Sequence, residues 1–276
     1  MKITLELLRS KSACSEGMSW VEENLPEGAE YQDFLDALAA ADKPDWASWL
    51  LANFGKTTAV KTVTSVTAGT KHIFAAGRLV FECPVRVLGR IQAGESIEAD
   101  MGIKAGESIK ADWGIKAGGS IEAGESIEAD MGIKADWGIK AGGSIKAGGS
   151  IEAGWGIKAG WGIKAGWGIK AGGSIKAGES IKAGESIKAG ESIEAGESIE
   201  ADMGIKAGWG IKAGGSIKAG WGIKAGLGIT CKLDISVRFR IFAGVCGWKM
   251  PSTEEMTITC RAVKSGTVAF GVVVNL

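Results

Sequence analysis

The chain has little of the residue types that build catalytic and metal centres. Its 276 residues include one histidine, one tyrosine and four prolines. The five cysteines lack the CxxC spacing of a zinc site and are an odd set for a disulfide framework. We therefore expect reduced thiols, as in the cytosol, and neither a metal nor another cofactor.

The chain also lacks a charge imbalance and a long apolar run. Its 32 basic and 32 acidic residues give a formal net charge of zero, which argues against nucleic acid or an anionic membrane as a general partner. No stretch approaches the roughly 20 apolar residues that span a bilayer. The first residues, from Met1 to Glu6, have an early acid and no apolar signal core, so we expect a cytoplasmic protein.

What the chain does have is an aliphatic residue at every sixth position over more than half of its length. All 29 such positions from Ile73 to Ile241 are aliphatic. From Ile91 to Gly228 there are 23 consecutive hexads of the form Ile-(Lys/Glu/Gln)-Ala-(Gly/Asp)-x-(Ser/Gly). A coil of short parallel strands requires such a period, because each turn must place the same side chain over the one below. The repeat therefore predicts a single-stranded β-solenoid over residues 73–246.

The six positions of the hexad, numbered here from Ile as position 1, predict different environments. Ile at position 1 and Ala at position 3 share one side of a strand and predict the interior. Position 2 is Lys in 16 hexads, Glu in six and Gln in one, which predicts a solvated side. Position 5 accepts Glu, Trp, Gly, Met or Leu, a mixture that a closed interior would not tolerate, so we place it at a corner.

Positions 4 and 6 predict the turn between strands. Gly or Asp at position 4 and Ser or Gly at position 6 tolerate left-handed or tight backbone geometry. Asp at position 4 occurs only where position 6 is Gly, at Asp100, Asp112, Asp130, Asp136 and Asp202. We infer that a bulky corner needs a bare neighbour.

The bulky residues at position 5 predict how many hexads make one turn of the coil. With a period of 18 residues, one column holds Trp113, Met131, Trp167, Met203 and Trp221. A second column holds Met101, Trp137, Trp155, Trp209 and Leu227, and the third holds only Trp161. A period of 12 gives no such segregation. We therefore predict a triangular solenoid of about three hexads per coil, with two bulky edges and one polar edge.

The flanks of the repeat predict caps for its two ends. Residues 1–56 have helical spacing of apolar residues, with Ser15 and Asp42 as candidate N-caps, and predict a small α-helical cap. Residues 57–72 are rich in Thr and Val and predict a connecting strand. Residues 247–276 predict a β-hairpin cap that turns at 264–266. Such caps cover the unpaired backbone of a solenoid.

Two parts of the chain resemble known families. The hexads, for example Ala177-Gly178-Glu179-Ser180-Ile181-Lys182, resemble the core of bacterial polymer-forming β-solenoid proteins of the bactofilin type. That resemblance implies end-to-end polymerisation through apolar terminal coils. Near the N-terminus, Ala13-Cys14 with Gly17 and Trp20, and Asp45-Trp46-Ala47 with Trp49-Leu50-Leu51, resemble a leader of bacterial and prophage-encoded accessory proteins. This second likeness names no activity.

Seven tryptophans at the corner position form the candidate binding surface. They are Trp113, Trp137, Trp155, Trp161, Trp167, Trp209 and Trp221. Exposed Trp is a usual means of stacking on sugars or anchoring a protein partner, and such a patch is unusual for a monomer. Two interpretations stay open. The rings pack over neighbouring corners or against a second rod, or they bind a carbohydrate or protein ligand.

His72 offers the only catalytic interpretation. As the sole histidine it would be the general base of a left-handed hexapeptide acyltransferase. That family places a small residue two before the aliphatic one, whereas here it lies two after. The other interpretation is a structural histidine at the cap. Our leading hypothesis is a non-enzymatic structural rod that self-associates or scaffolds a partner. A carbohydrate- or protein-binding module comes second, and an acyltransferase third.

Overall fold

Residues 1–247 and 249–276 are described by a computed structural model. Strands of consecutive coils pair in parallel with a register of 18 residues, so that Ile109 lies between Ile91 and Ile127. Lys110 lies in the same way between Gln92 and Glu128. The predicted β-solenoid, with three hexads in each coil, is therefore confirmed.

The coil has three sides, numbered here in the order in which the chain first enters the regular repeat. Face 1 holds Ile73–Ala75, Ile91–Ala93, Ile109–Ala111, Ile127–Ala129, Ile145–Ala147, Ile163–Ala165, Ile181–Ala183, Ile199–Ala201 and Ile217–Ala219. Face 2 holds Val60–Val63, Arg78–Phe81, Ile97–Ala99, Ile115–Ala117, Ile133–Ala135, Ile151–Ala153, Ile169–Ala171, Ile187–Ala189, Ile205–Ala207 and Ile223–Ala225. Face 3 holds Val85–Val87, Ile103–Ala105, Ile121–Ala123, Ile139–Ala141, Ile157–Ala159, Ile175–Ala177, Ile193–Ala195, Ile211–Ala213, Ile229–Cys231, Thr257–Cys260 and Val272–Asn275. Two longer strands, Asp234–Phe242 and Ala262–Phe270, run from face 1 onto face 2.

One continuous apolar core fills the coil. Every isoleucine at position 1 from Ile91 to Ile229 is at most 1% exposed, and the alanines at position 3 are buried beside them. Burying one such side chain contributes roughly 1.5–3 kcal/mol. The core runs from Ile73 to Cys260 without interruption. A stack of short strands therefore needs neither disulfides nor a metal to form a rigid body.

Where position 4 is glycine, as in 18 of the 23 hexads, neighbouring coils approach each other closely at that residue. A Cβ added to Gly178 would lie 1.9 Å from the carbonyl oxygen of Gly160 in the coil below. None of the glycines with positive φ among the described residues lies in the 23 regular hexads. Of the two reasons that the sequence suggests for glycine here, tight packing applies and left-handed geometry does not.

Four helices form the N-terminal cap. They are α1 (Leu5–Ser10), α2 (Ser15–Asn24), α3 (Tyr31–Ala40) and α4 (Pro44–Phe54), with a short antiparallel pair formed by Lys2–Ile3 and Ala29–Glu30. Their buried side chains, such as Phe34, Leu38 and Leu50, pack together with Phe74 from the first coil. The cap therefore shares one apolar cluster with the start of the solenoid.

Two residues at the helix starts differ from the prediction. Cys14, and not Ser15, is the N-cap of α2, and its Sγ accepts a hydrogen bond from the backbone N–H of Gly17. Lys43, and not Asp42, is the N-cap of α4. The carboxylate of Asp42 instead contacts Lys71 and His72 at the start of the coil. The apolar spacing locates a helix but does not decide which polar neighbour reaches its first turn.

The cap also satisfies backbone and side-chain groups of the first coils. The side chain of Gln32 donates to the carbonyl oxygen of Phe74 at 2.9 Å and accepts from the N–H of Ala76 at 3.0 Å. Ser48 Oγ donates to Gln92 Oε1 at 2.7 Å. Gln92 is buried, and it is the only glutamine at position 2 of the repeat. The change from Lys or Glu to Gln thus marks where a helix covers the coil.

The predicted C-terminal strands are present, and they continue the coil by parallel pairing. Thr257–Cys260 lies between Ile229–Cys231 and Val272–Asn275, while Ala262–Phe270 pairs with Asp234–Phe242. The turn predicted at 264–266 lies instead inside a strand, where Gly266 has a φ of 96° and the register shifts. A glycine in this conformation accommodates a bulge without ending the strand. The break between the last two strands lies at Gly271.

Asp234 forms ion pairs with Arg261 and Lys264, which lie one coil further along the chain. Its side chain is 9% exposed, and its carboxylate accepts hydrogen bonds from Arg261 at 3.0 and 2.7 Å. Lys264 Nζ lies 2.8 Å from the same carboxylate. The hydrogen bonds from Arg261 and then Lys264 lower the pKa of Asp234 from 3.8 to about 2. The carboxylate's contribution to stability is therefore complete above its unfolded pKa and is lost as the pH falls through its folded pKa.

We expect Asp234→Asn to lower the melting temperature at neutral pH and to flatten its decrease between about pH 4 and pH 2. The neutral amide keeps the shape of the side chain but has no charge to lose in acid. Circular dichroism melts across this range measure the effect. Asp136→Asn, at an exposed aspartate without an ion pair among the described residues, is the control. Identical pH profiles for wild type and Asp234→Asn would contradict the prediction.

Candidate binding surface

All seven candidate tryptophans lie at corners of the coil with exposed rings. Their exposure ranges from 46% at Trp209 to 65% at Trp155, so none of them belongs to the core. Each coil stacks its corner on the corner below through backbone hydrogen bonds, for example from Trp155 N–H to the carbonyl oxygen of Trp137 at 3.0 Å. The columns of the 18-residue period are therefore the physical edges of the rod.

Two of the three edges carry the bulky side chains. Edge 1–2, between faces 1 and 2, carries Trp113, Met131, Trp167, Met203 and Trp221. Edge 2–3 carries Met101, Trp137, Trp155, Trp209 and Leu227. Edge 3–1 carries Trp161 together with Glu107, Glu125, Glu179 and Glu197. Face 2 is thus the one side of the rod that has bulky apolar residues along both of its borders.

Packing between neighbouring corners accounts for few of the rings. Trp137 and Trp155 stack with ring centroids 5.4 Å apart and planes inclined by 6°. Lys56 Nζ lies 4.7 Å from the ring centroid of Trp113. Trp167, by contrast, has Gly149 below and Glu185 above it on its edge. Among the seven rings, stacking is found within the described residues for this one pair, and each of the seven is at least 46% exposed.

Face 2 also carries a row of lysines that the pattern of corner residues does not reveal. Lys170, Lys188, Lys206 and Lys224 occupy position 2 of four consecutive coils and are direct register partners. Adjacent strands are about 4.8 Å apart, so these charges lie side by side. All four are exposed, and none forms an ion pair within residues 1–247 and 249–276. The same 18-residue sorting, applied to position 2, would have found this row.

The lysines of the other two faces are interrupted by acids. On face 1, Glu200 lies 3.1 Å from Lys182 and 3.3 Å from Lys218, and the hydrogen bond from Lys182 is the main cause that lowers its pKa. On face 3, Lys176 pairs with Glu194 at 3.0 Å. Faces 1 and 3 nevertheless each carry three lysines in consecutive coils, Lys146, Lys164 and Lys182 on face 1 and Lys140, Lys158 and Lys176 on face 3. The row of four on face 2 is therefore longer than these by one lysine.

His72 is placed as a structural residue between cap and coil. Its side chain is 3% exposed, and Nδ1 accepts a hydrogen bond from the N–H of Arg90 at 3.0 Å. The neutral ring therefore carries its proton on Nε2, which lies 2.9 Å from Asp42 Oδ1. Both ring nitrogens are occupied, so the geometry leaves no free nitrogen on His72 to accept a proton from a substrate.

The N-terminal helices form an apolar pocket of about 290 Å³. It is lined by Phe34 and other apolar residues, together with four residues of the leader-like motif, Cys14, Gly17, Trp46 and Trp49.

Within the described part of the chain, no three His, Cys, Asp or Glu side chains are grouped as metal ligands. No helix in that part is long and apolar enough to cross a membrane.

The comparisons with known proteins concern the helical cap. Residues 1–56 match the model of the family described as the YdhT N-terminal domain. The match covers α1 to α4 and stops before the solenoid. No curated protein matches the chain, and no solved structure matches it. The bactofilin-like and prophage-related resemblances therefore stay predictions.

Proposed function

We propose that the protein is a non-catalytic structural rod that self-associates through the C-terminal end of its coil. The observation that carries the proposal is the apolar surface at that end. Phe270, Val272, Val273, Val274 and Leu276 are between 41% and 70% exposed. Contiguous exposed apolar residues mark sites of association more often than solvated surface does.

The backbone at this end supports the same proposal. Ala262–Phe270 and Val272–Asn275 each pair with one strand of the coil below and, within the described residues, have no strand on their outer side. Unpaired strand edges are templates for pairing with another chain. These two strands together present all three faces of the triangle, so a partner of matching shape is another coil end. The other end of the rod is covered by helices packed on Phe74.

We expect light scattering over a concentration series to show a mass above that of one chain, rising with concentration. Val272→Lys with Val274→Lys should reduce the mass to that of a monomer, because lysines on an edge strand oppose pairing. Met131→Lys, at an equally apolar side position that is 53% exposed, should leave the mass unchanged. A wild-type protein that stays monomeric throughout would contradict the proposal.

A second role, ligand binding through the corner tryptophans, is favoured by their distribution. Six of the seven rings border face 2 on its two sides, and the seventh, Trp161, lies on edge 3–1. Exposed aromatic side chains supply rigid contact area at low entropic cost. This role uses the side of the rod and leaves the C-terminal end free, so the two roles are compatible.

A further inference from the structure

The net charge of zero conceals an uneven distribution of charge around the rod. The row from Lys170 to Lys224 lies on face 2, whereas the opposite edge 3–1 carries glutamates at four levels. Like charges directly opposite each other in a sheet destabilise it. Within the described residues none of these four lysines forms an ion pair, although Glu152 is the register partner of Lys170 at the N-terminal end of the row. An anionic partner bound along the row would reduce the repulsion between these lysines.

The C-terminal half of face 2 offers such a partner a groove. A cavity of about 590 Å³ is lined by Lys188, Lys206 and Lys224 along its floor, with Trp221 and Phe239 beside them. Arg240 and Phe242 continue the lining toward the last coil. On edge 2–3, Trp209 and Leu227 lie beside Lys206 and Lys224, whereas Lys188 has Glu185 and Glu191 at its two edges. The groove therefore combines cationic and aromatic groups along a straight line.

The N-terminal half of face 2 provides a natural comparison. It has a cavity of about 380 Å³ lined by Lys116 and Lys134, but Glu98 and Glu152 lie in the same row. Glu98 is the register partner of Lys116 and Glu152 that of Lys134, so this part of the row has no net charge. Two grooves on one face thus share the same backbone and differ in charge.

We propose that the lysine row between Lys170 and Lys224 binds a linear anionic polysaccharide. The inference rests on the second proposed role, binding through the tryptophans, and not on self-association. A polyuronate is extended, repeats a carboxylate along its length, and offers the apolar faces of its sugar rings to Trp side chains. One lysine in each coil matches a polymer that carries its charge at regular intervals.

A single-stranded nucleic acid is the rival occupant, because basic grooves with aromatic side chains also bind it. The charges around the row favour the polysaccharide. Glu185 and Glu191 lie at the two edges beside Lys188, and the whole chain has no basic excess. A nucleic acid carries a phosphate at every nucleotide, and its binding depends strongly on cationic density. A polyuronate also carries one charge on every sugar, but its hydroxyl groups can donate hydrogen bonds to the carboxylates of Glu185 and Glu191, which phosphate groups cannot.

The experiment measures binding of sodium alginate to the whole chain by Trp fluorescence and calorimetry, with neutral dextran and oligo(dT) as comparison probes. We expect alginate to bind with salt-dependent affinity and dextran not to bind. Lys188→Glu with Lys206→Glu should weaken alginate binding by about tenfold or more, since reversed charges now repel the polymer. Lys116→Gln with Lys134→Gln in the N-terminal groove, which removes two lysines without creating a row of four glutamates, should change it less than about twofold. Unchanged melting temperatures establish that both double variants are folded.

Several results would overturn the inference. Tighter binding of oligo(dT) than of alginate would assign the row to nucleic acid, and equal losses in both double variants would indicate non-specific attraction. A loss of self-association in Lys188→Glu with Lys206→Glu would make face 2 a contact between rods. If alginate does not bind while light scattering still shows association, this inference fails and the structural role stands. Alginate binding by the monomeric Val272→Lys, Val274→Lys variant would support it independently of assembly.

Discussion

Ile157→Asp is expected to prevent the coil from folding, whereas Lys158→Asp, one residue later, is expected to leave it intact. Ile157 is 1% exposed in the continuous core, and Lys158 points to solvent from the same strand. An unpaired carboxylate in an apolar interior costs several kcal/mol, about 4 or more. Because each coil rests on its neighbours, the loss at one level also removes support from the coils on either side.

The Lys158→Asp control introduces the same charge on the opposite side of the strand. Lys158 lies in register between Lys140 and Lys176, so an aspartate there replaces two repulsive neighbours by two attractive ones. We expect its stability to lie within about 0.5 kcal/mol of wild type or slightly above it. Urea unfolding followed by circular dichroism measures both variants. Similar losses in the two would mean that the strand does not have one buried and one solvated side.

The register of the coil could be predicted because two independent patterns agree. A period of six fixes the length of one strand and turn, and the columns of bulky corner residues fix three such units per coil. The helices could be predicted for a similar reason, since the spacing of apolar residues in residues 1–56 fits one face of a helix and does not alternate as in a strand. Both predictions depend on repetition along the chain, which a single sequence displays directly.

The features that could not be predicted depend on contacts between distant segments. Asp42 has the sequence context of an N-cap, but its partner His72 lies 30 residues away and is brought close only by packing of the cap on the coil. Strand pairing at the C-terminus is likewise parallel, because each of the last strands lies on a strand of the preceding coil. Local turn residues such as Gly266 do not carry that information.

The candidate surface was predicted in part. The corner position of the seven tryptophans follows from the mixture of residues tolerated there, and the structure places them accordingly. The composition of position 2 predicts a solvated side but does not reveal the lysine row. The row becomes visible only when the residues of neighbouring coils are compared. Lys188 lies beside Lys170 and Lys206 in the sheet, whereas Lys182 and Glu194, which are closer to it along the chain, lie on other faces. On this solenoid, residues that share a surface lie 18 positions apart in the sequence.

Gly178→Ala is expected to destabilise the coil by about 3 kcal/mol, and Gly208→Ala by clearly less. Both glycines occupy position 4, and a Cβ on either would lie 1.9 Å from a carbonyl oxygen of the coil below. The two glycines differ in their C-terminal neighbours. Gly208 precedes Trp209 and Gly210, a context in which Asp replaces Gly at Asp112 and Asp136. Gly178 precedes Glu179 and Ser180, where no hexad has a side chain at position 4.

The difference tests whether a bare residue at position 6 lets the corner shift away from the coil below. Glycine gives the backbone that freedom, and serine restricts it. Gly204→Ala is the control, because a Cβ there meets only the carbonyl oxygen of Gly222 at 3.5 Å, an ordinary contact. Thermal and urea unfolding of the three variants rank the costs. Equal losses of stability for Gly178→Ala and Gly208→Ala would show that the residue at position 6 does not determine whether a Cβ is tolerated at position 4. The occurrence of Asp at position 4 only with Gly at position 6 would then need another explanation.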